Sequence, residues 1–376
     1  MIPCQREKFR IPDDVAYFNC AYTSPLLKSA EALCREAVAL KTTPWRLTTD
    51  LFFKDLNANR ALFAALVGAA AEHIAIIPSV SYGIALAARN VPVASGQTIV
   101  VLQDQFPSNI YIWHHLAQDN GAKIVSVPRP KDGNWTPSIL EAISAETAVA
   151  ALPHCHWTDG TLVDLKAVGE ACRRYGAALV VDGTQSLGAM PFAVAEIQPD
   201  FLVTTAHKWL LGPYSYGFCY AAPRWHGGHA LEENWMNRAA SEDFARLVHY
   251  RADYQPGAKR FDAGEASNFI LAPIAGEALR QLLEWGVDAI AATLRARTDA
   301  IADRARTVGL DVADRPFRAP HLIGLRHPEG FPSNLPAQLA AAGVYASARG
   351  DSIRIAPHLY NTDADVDRLF DVLSST

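Results

Sequence analysis

Lys208 follows His207 in the run Thr204-Thr205-Ala206-His207-Lys208-Trp209, and Asp182 closes Val180-Val181-Asp182 ahead of Gly183-Thr184-Gln185. An amine and a carboxylate, each just past an apolar β-branched run, suit chemistry on an aldehyde cofactor. The amine condenses with the aldehyde, and the carboxylate keeps a pyridine nitrogen protonated. Taken singly, Asp182 could merely end a strand and Lys208 could be a solvated lysine. The pair points to pyridoxal phosphate and to an enzyme acting on amino acids. Lys208 would form the Schiff base and then move protons at the substrate Cα.

Gln185 and Thr205 flank these two groups, where a donor to a ring hydroxyl and a hydroxyl for a phosphate would be useful. The phosphate also needs a cradle. Pro78-Ser79-Val80-Ser81-Tyr82-Gly83 leads into the helical run Ile84 to Asn90, so Ser79, Val80 and Ser81 would place free amides and two hydroxyls at a helix N-terminus. Serine before a helix is by itself only a cap.

These side chains need a scaffold, and the residues from about 73 to 221 supply one. Short β-branched runs at His73 to Ile77, Thr98 to Leu102, Lys123 to Val127, Ala148 to Leu152, Ala178 to Asp182, Phe201 to Thr205 and Gly217 to Ala221 alternate with helix-length segments. That alternation predicts an α/β domain with a mostly parallel seven-stranded sheet covered on both faces. Amphipathic spacing between them fits helices, for example Leu165, Val168, Ala171 and Cys172 inward against Lys166, Glu170, Arg173 and Arg174 outward. Ligands of such sheets sit beyond the carboxyl ends of the strands, where Asp182 and Lys208 both fall.

Past Leu271 the texture changes to two long alanine- and arginine-rich helices, about 271–285 and 287–307, then short strands at His321 to Leu325 and Ser352 to Ile355. The expected organisation is a large α/β domain over 21–265 and a smaller α+β domain over 1–20 and 266–376. Residues 222–264 read as an irregular excursion with embedded helix. There is no internal repeat.

The motifs together resemble a fold type I pyridoxal-phosphate enzyme of the class V aminotransferase family, which includes cysteine desulfurases, kynureninases and isopenicillin N epimerase-like proteins. Asp182 and Gln185 match the family's Asp-x-x-Gln; Thr205, His207 and Lys208 match its Ser/Thr-x-His-Lys, and Gly212-Pro213 the Gly-Pro that follows. Ser79-Val80-Ser81 is similar to its phosphate loop without the glycine. The resemblance implies that Arg354, in Ser352-Ile353-Arg354-Ile355, binds the substrate α-carboxylate, for which a guanidinium is the natural partner. It implies that Phe106 stacks on the cofactor ring, as in the kynureninases, and that His156 contacts cofactor or substrate. It also implies a homodimer, in which Ser267 or Asn268 would replace the hydroxyl that the family sends to the neighbouring subunit's phosphate.

Transamination is the first expectation for the reaction. A lyase, kynureninase-like or cleaving C–S bonds by β-elimination, comes second, and an epimerase third. Residues 340–352 hold no cysteine, which disfavours the persulfide mechanism of cysteine desulfurases. His154 and His156 would share a strand face, yet no third ligand accompanies them, so no metal is expected.

The rest of the composition excludes other classes. The chain has 376 residues, half of them hydrophobic, and a formal charge of -5 without a Lys/Arg run, so no nucleic-acid or anionic-membrane partner is expected. The N-terminus lacks an apolar signal region and Ala61 to Ala71 is too short to cross a bilayer. Six cysteines without a C-x-x-C pair fit reduced thiols in a cytoplasm. There is no G-x-G-x-x-G, no P-loop, no G-x-S-x-G and no H-E-x-x-H.

Overall fold

The computed structural model describes residues 1–374. Its strands are β1 (Ala16–Tyr17), β2 (Ile74–Ile77), β3 (Thr98–Leu102), β4 (Lys123–Val127), β5 (Thr147–Pro153), β6 (Ala178–Asp182), β7 (Phe201–Thr205), β8 (Gly217–Ala221), β9 (Ile323–Arg326), β10 (Val344–Tyr345), β11 (Ser347–Arg349) and β12 (Ser352–Ile355). The α-helices are α1 (Lys28–Lys41), α2 (Leu51–Val67), α3 (Val80–Asn90), α4 (Tyr111–Asn120), α5 (Trp135–Ala142), α6 (Leu165–Tyr175), α7 (Val194–Ile197), α8 (Leu271–Trp285), α9 (Val287–Thr307), α10 (Leu335–Ala341) and α11 (Asp363–Leu373).

Seven strands form one sheet in the order β2-β8-β7-β6-β5-β3-β4. All pairings are parallel except those of β8, which runs antiparallel to both β2 and β7. The central strands are buried along their whole length, as continuous apolar runs between two helical layers must be. Leu179 and Val181 of β6 enter one core and Ala178 and Val180 the other, because successive side chains point to opposite faces. Helix α6 shows how the covering layer is built. The Asp164 carboxylate accepts the Lys166 and Ala167 amides, Leu165, Val168, Ala171 and Cys172 are buried, and Gly176 ends the helix in the left-handed region at φ 74°.

Two glycines allow approaches on which the site depends. A Cβ on Gly83 would lie 2.6 Å from Val203 and 2.8 Å from Ile77, so only glycine lets the first turns of α3 settle on the sheet. Gly188, at φ 96°, would place a Cβ 2.3 Å from the Trp209 carbonyl oxygen, and its absence lets the loop after β6 pack against the segment carrying Lys208.

A separate three-stranded antiparallel sheet, β11-β12-β9, has its own core of Ile323, Leu325, Ile353, Ile355, Leu369 and Phe370. The N-terminal residues join this end of the molecule, with β1 pairing parallel to β10 and Phe18 buried in the same core. One expectation is corrected. Between 222 and 264 there is no α-helix, only the short 3-10 turns Pro223–Trp225, Phe244–Arg246 and Gly257–Phe261. Residues 229–255 contain no glycine or proline, so local propensity does not forbid a helix there; the course is fixed by side-chain contacts such as the Asn237 amide donating to the Glu232 and Arg260 carbonyls at 3.0 and 3.2 Å.

Candidate active site

Asp182 is the last residue of β6, in register with Pro153 of β5 and Val203 of β7, and Thr205 is the last of β7. The carboxyl ends of these strands therefore form the floor of a cleft of about 270 Å³. Ser79, Val80, Ser81, Phe106, Asp182, Gln185, Thr205, His207 and Lys208, all singled out from the sequence, line it together. A second hollow of about 400 Å³ adjoins it and is lined by Tyr22, Thr23, Arg349 and Arg354, among others.

Lys208 sits on a turn held by its neighbours. The Leu211 amide donates to the Lys208 carbonyl at 3.0 Å and the Ser24 amide to that of His207 at 2.9 Å. Its Nζ lies 5.2 Å from the centre of the Phe106 ring. Burial lowers the Lys208 pKa to about 8; Asp182 opposes that shift, while the Arg354 and Arg349 charges add to it. Asp182 is buried, and its carboxylate accepts the Thr184 amide at 3.0 Å. Burial raises the Asp182 pKa against the pull of Thr184 and Lys208. Such a carboxylate gains most from a cation brought directly to it.

At the other side of the cleft, Ser79 caps α3, accepting the Tyr82 amide at 3.2 Å, and its Oγ lies 2.9 Å from that of Ser81. The first amides of a helix have no intrahelical acceptor and the dipole there favours an anion. The Phe106 ring meets Trp157 edge to face at 5.4 Å, and the Trp157 indole N–H donates to the Asp104 carbonyl at 2.7 Å. Thr205 Oγ1 is 2.6 Å from His207 Nδ1, and burial, reinforced by Lys208, lowers the His207 pKa to about 4, so this ring is neutral at pH 7. The Gln185 side chain donates to the Ala21 carbonyl at 3.0 Å and accepts the Trp209 indole N–H at 2.9 Å, which leaves one amide hydrogen for a ligand. These residues fit pyridoxal phosphate: an amine, an unpaired buried carboxylate, an aromatic face and a helix terminus for a dianion surround one cleft.

The structure does not bring His156 to that cleft. Its ring is fully buried against Trp135, with Nδ1 2.8 Å from Thr158 Oγ1 and 3.0 Å from an Arg129 nitrogen, and Nε2 3.1 Å from the Gln103 carbonyl oxygen. The residues on either side of it, Cys155 and Trp157, line the cleft instead. Alternation along the chain turns His156 to the opposite side. Ser267 and Asn268 lie outside both hollows: Asn268 Oδ1 accepts the Ile270 and Leu271 amides at the start of α8, and Ser267 Oγ contacts the Met236 sulfur at 3.5 Å. Among the described residues, no group of three or more His, Cys, Asp or Glu could hold a metal, and no helix is long and apolar enough to cross a membrane.

Sequence reading missed Trp157, Tyr214 and Arg349. Trp157 and Tyr214 each follow a recognised motif by a residue or two and carried no motif of their own. Arg349 lies in the stretch read only for its lack of cysteine.

The depressed Lys208 pKa has a measurable consequence. A lysine titrating lower in the folded than in the unfolded chain binds fewer protons between about 8 and its ordinary value of 10.5, so the cofactor-free protein should gain stability as pH rises through that window. The rate at which it captures pyridoxal phosphate should climb with a midpoint near pH 8. Stopped-flow absorbance at a series of pH values checks this, and a midpoint at the ordinary lysine value would contradict it.

The model for "Aminotransferase class-V" matches residues 46–369. An uncharacterized aminotransferase, YcbU, of Bacillus subtilis is 30% identical over 337 residues, covering 87% of each chain. Isopenicillin N epimerase of Streptomyces clavuligerus is 24% identical, with 84% of this chain and 83% of that one covered. Among solved structures, a C-DES variant with glycine covalently linked to the PLP cofactor superimposes with a TM-score of 0.86 at 19% identity, covering 98% of this chain and 99% of that one. The fold is thus that of fold type I pyridoxal-phosphate enzymes, and the extent of the family match establishes that this chain belongs to the class V aminotransferase family.

Proposed function

We propose that the chain is a pyridoxal-phosphate-dependent enzyme that transaminates an α-amino acid. The observation that carries the reading is the position of Lys208, which borders both the cleft holding Asp182 and the Ser79–Ser81 turn and the hollow holding Arg354. The bound cofactor would supply an electron sink for the pair released at the substrate Cα.

The chain's own groups do the rest. Val80 and Ser81 amides and the Ser79 and Ser81 hydroxyls hold the phosphate, Thr205 borders it, and Phe106 covers the ring. Asp182 holds the ring-nitrogen proton, and Gln185 donates to the ring hydroxyl. Arg354 fixes the α-carboxylate and so aims the Cα–H bond at Lys208. Lys208, freed as an amine when the substrate amine takes its place, removes that proton and would deliver it to the cofactor's former aldehyde carbon, so that the amino group stays with the cofactor and the substrate leaves as an oxo acid.

Two features weigh against inversion and against a persulfide. Inversion at Cα needs a proton returned to the opposite face, and among the described residues Lys208 is the one amine lining either hollow. A persulfide needs an accessible thiolate, whereas Cys155 is buried, its thiol donates to the Gln185 carbonyl at 3.2 Å, and burial raises its pKa. A homodimer, each subunit with a large α/β domain over 21–265 and a small α+β domain over 1–20 and 266–376, completes the proposal.

Product analysis tests the reading. Purified enzyme given an amino acid and an oxo-acid acceptor should form a second amino acid and a new oxo acid in equal amounts. Pyruvate, ammonia or sulfide released without an acceptor would place the enzyme among the lyases instead.

A further inference from the structure

The two hollows share Phe106, Trp157, His207, Lys208 and Tyr214, so they meet at the lysine. Asp182 and the Ser79–Ser81 turn line only the first; Arg349 and Arg354 line only the second. Among the described residues, no carboxylate lines the arginine side.

Arg354 is 1% exposed, yet among the described residues it is paired with no acid. One of its terminal nitrogens donates to the Trp157 carbonyl at 2.8 Å, and its Nε is buried without a partner. Arg349 is half-buried, lies over Trp157 with Cζ 5.8 Å from the ring centre, and donates to the Ala348 carbonyl at 2.7 Å. The acid nearest to it in sequence, Asp351, is taken by Arg326 at 3.1 Å. On the paired strands β11 and β12, Arg349 stands opposite Ser352 and Arg354 follows two residues on, on the same face of the sheet; burial and then the neighbouring Arg349 lower the Arg354 pKa to about 9.

Two guanidinium groups facing one hollow repel each other, and one is nearly buried. The arrangement is costly in the empty protein and becomes favourable when anions enter. An α-carboxylate accounts for one of them. The phosphate is accounted for elsewhere, at the far side of the first hollow. We propose that Arg349 binds a second acidic group, so that the substrate is an α-amino acid with a side-chain carboxylate. This rests on the cofactor and amino-acid reading above.

The test is an absorbance titration of the reconstituted holoenzyme with aspartate, glutamate and aminoadipate against asparagine, glutamine and norleucine. At least one acid should bind on the order of ten- to a hundredfold more tightly than the neutral analogue of the same length. The preference should shrink as salt is raised. It should vanish in Arg349→Gln and survive largely in Arg349→Lys, since charge rather than packing on Trp157 carries it. Equal affinity for acid and neutral analogue, or a preference that persists in Arg349→Gln, overturns the proposal while a spectral response to neutral amino acids leaves the underlying reading intact. A protein that takes up no cofactor, or responds to no amino acid, overturns both.

Discussion

Lys208→Ala is expected to lower turnover by about 10⁴-fold or more, because one side chain both holds the cofactor covalently and moves the Cα proton. The loss should not come from unfolding. Lys208 Nζ makes no hydrogen bond to a described residue, and burial already disfavours its charge, so the shorter side chain removes a strained ammonium rather than a structural contact. The variant should still take up pyridoxal phosphate, since the Ser79–Ser81 turn, Phe106 and Asp182 are unchanged, and it should show the absorbance of the free aldehyde in place of the lysine-linked band. Steady-state assays together with a spectrum of the reconstituted variant decide this. More than a tenth of the wild-type rate in Lys208→Ala would rule this lysine out.

Asp182→Asn should lower kcat by about 10²–10³-fold while leaving the amino-acid KM within a few-fold, as expected for a group that acts on the transition state. The neutral amide keeps the shape and can still accept the Thr184 amide, which now bonds Oδ1 at 3.0 Å, but it cannot hold a proton on the ring nitrogen. Cofactor affinity should fall as well, because a buried carboxylate facing a ring cation is lost. The cofactor-free variant should be no less stable than the wild type, since the burial that raises the Asp182 pKa no longer opposes a charge. Wild-type kcat together with an unchanged cofactor dissociation constant in Asp182→Asn would show that this carboxylate has a structural role only.

Much of this was legible in the chain because it is local. The runs Ala178 to Asp182 and Phe201 to Thr205 are strands in the structure at those bounds, since a strand buried on both faces is a near-continuous apolar run up to the polar residues at its end. The α9 helix, Val287–Thr307, follows from its composition in the same way. Lys208 and Asp182 were readable because each ends or closely follows such a run, and the ends of parallel strands converge on one edge of the sheet.

His156 shows where that reasoning stops. Its place beside a recognised motif suggested a ligand contact, but the loop after β5 turns the imidazole back onto Trp135 and Arg129, and a single-residue phase decides which neighbour meets the cleft. The segment 222–264 fails for a related reason, because its course is set by contacts with distant parts of the chain, such as the Asn90 side chain donating to the His229 carbonyl at 2.9 Å. Period and propensity do not encode such contacts.

By itself, then, the sequence determined the alternation of strands and helices, the amine and carboxylate at the strand ends, the helix terminus for a dianion and the lack of a thiol before Arg354. Those properties depend on residue type and on neighbours along the chain. Only the tertiary structure decided that Arg349 shares a hollow with Arg354 and Lys208, that Trp157 rather than His156 faces it, and that Asp351 is already taken by Arg326. The physical reason is that electrostatic pairing and burial are set by distances through space, and Trp157, Lys208 and Arg326 reach the Arg349–Arg354 hairpin from segments far away in the chain.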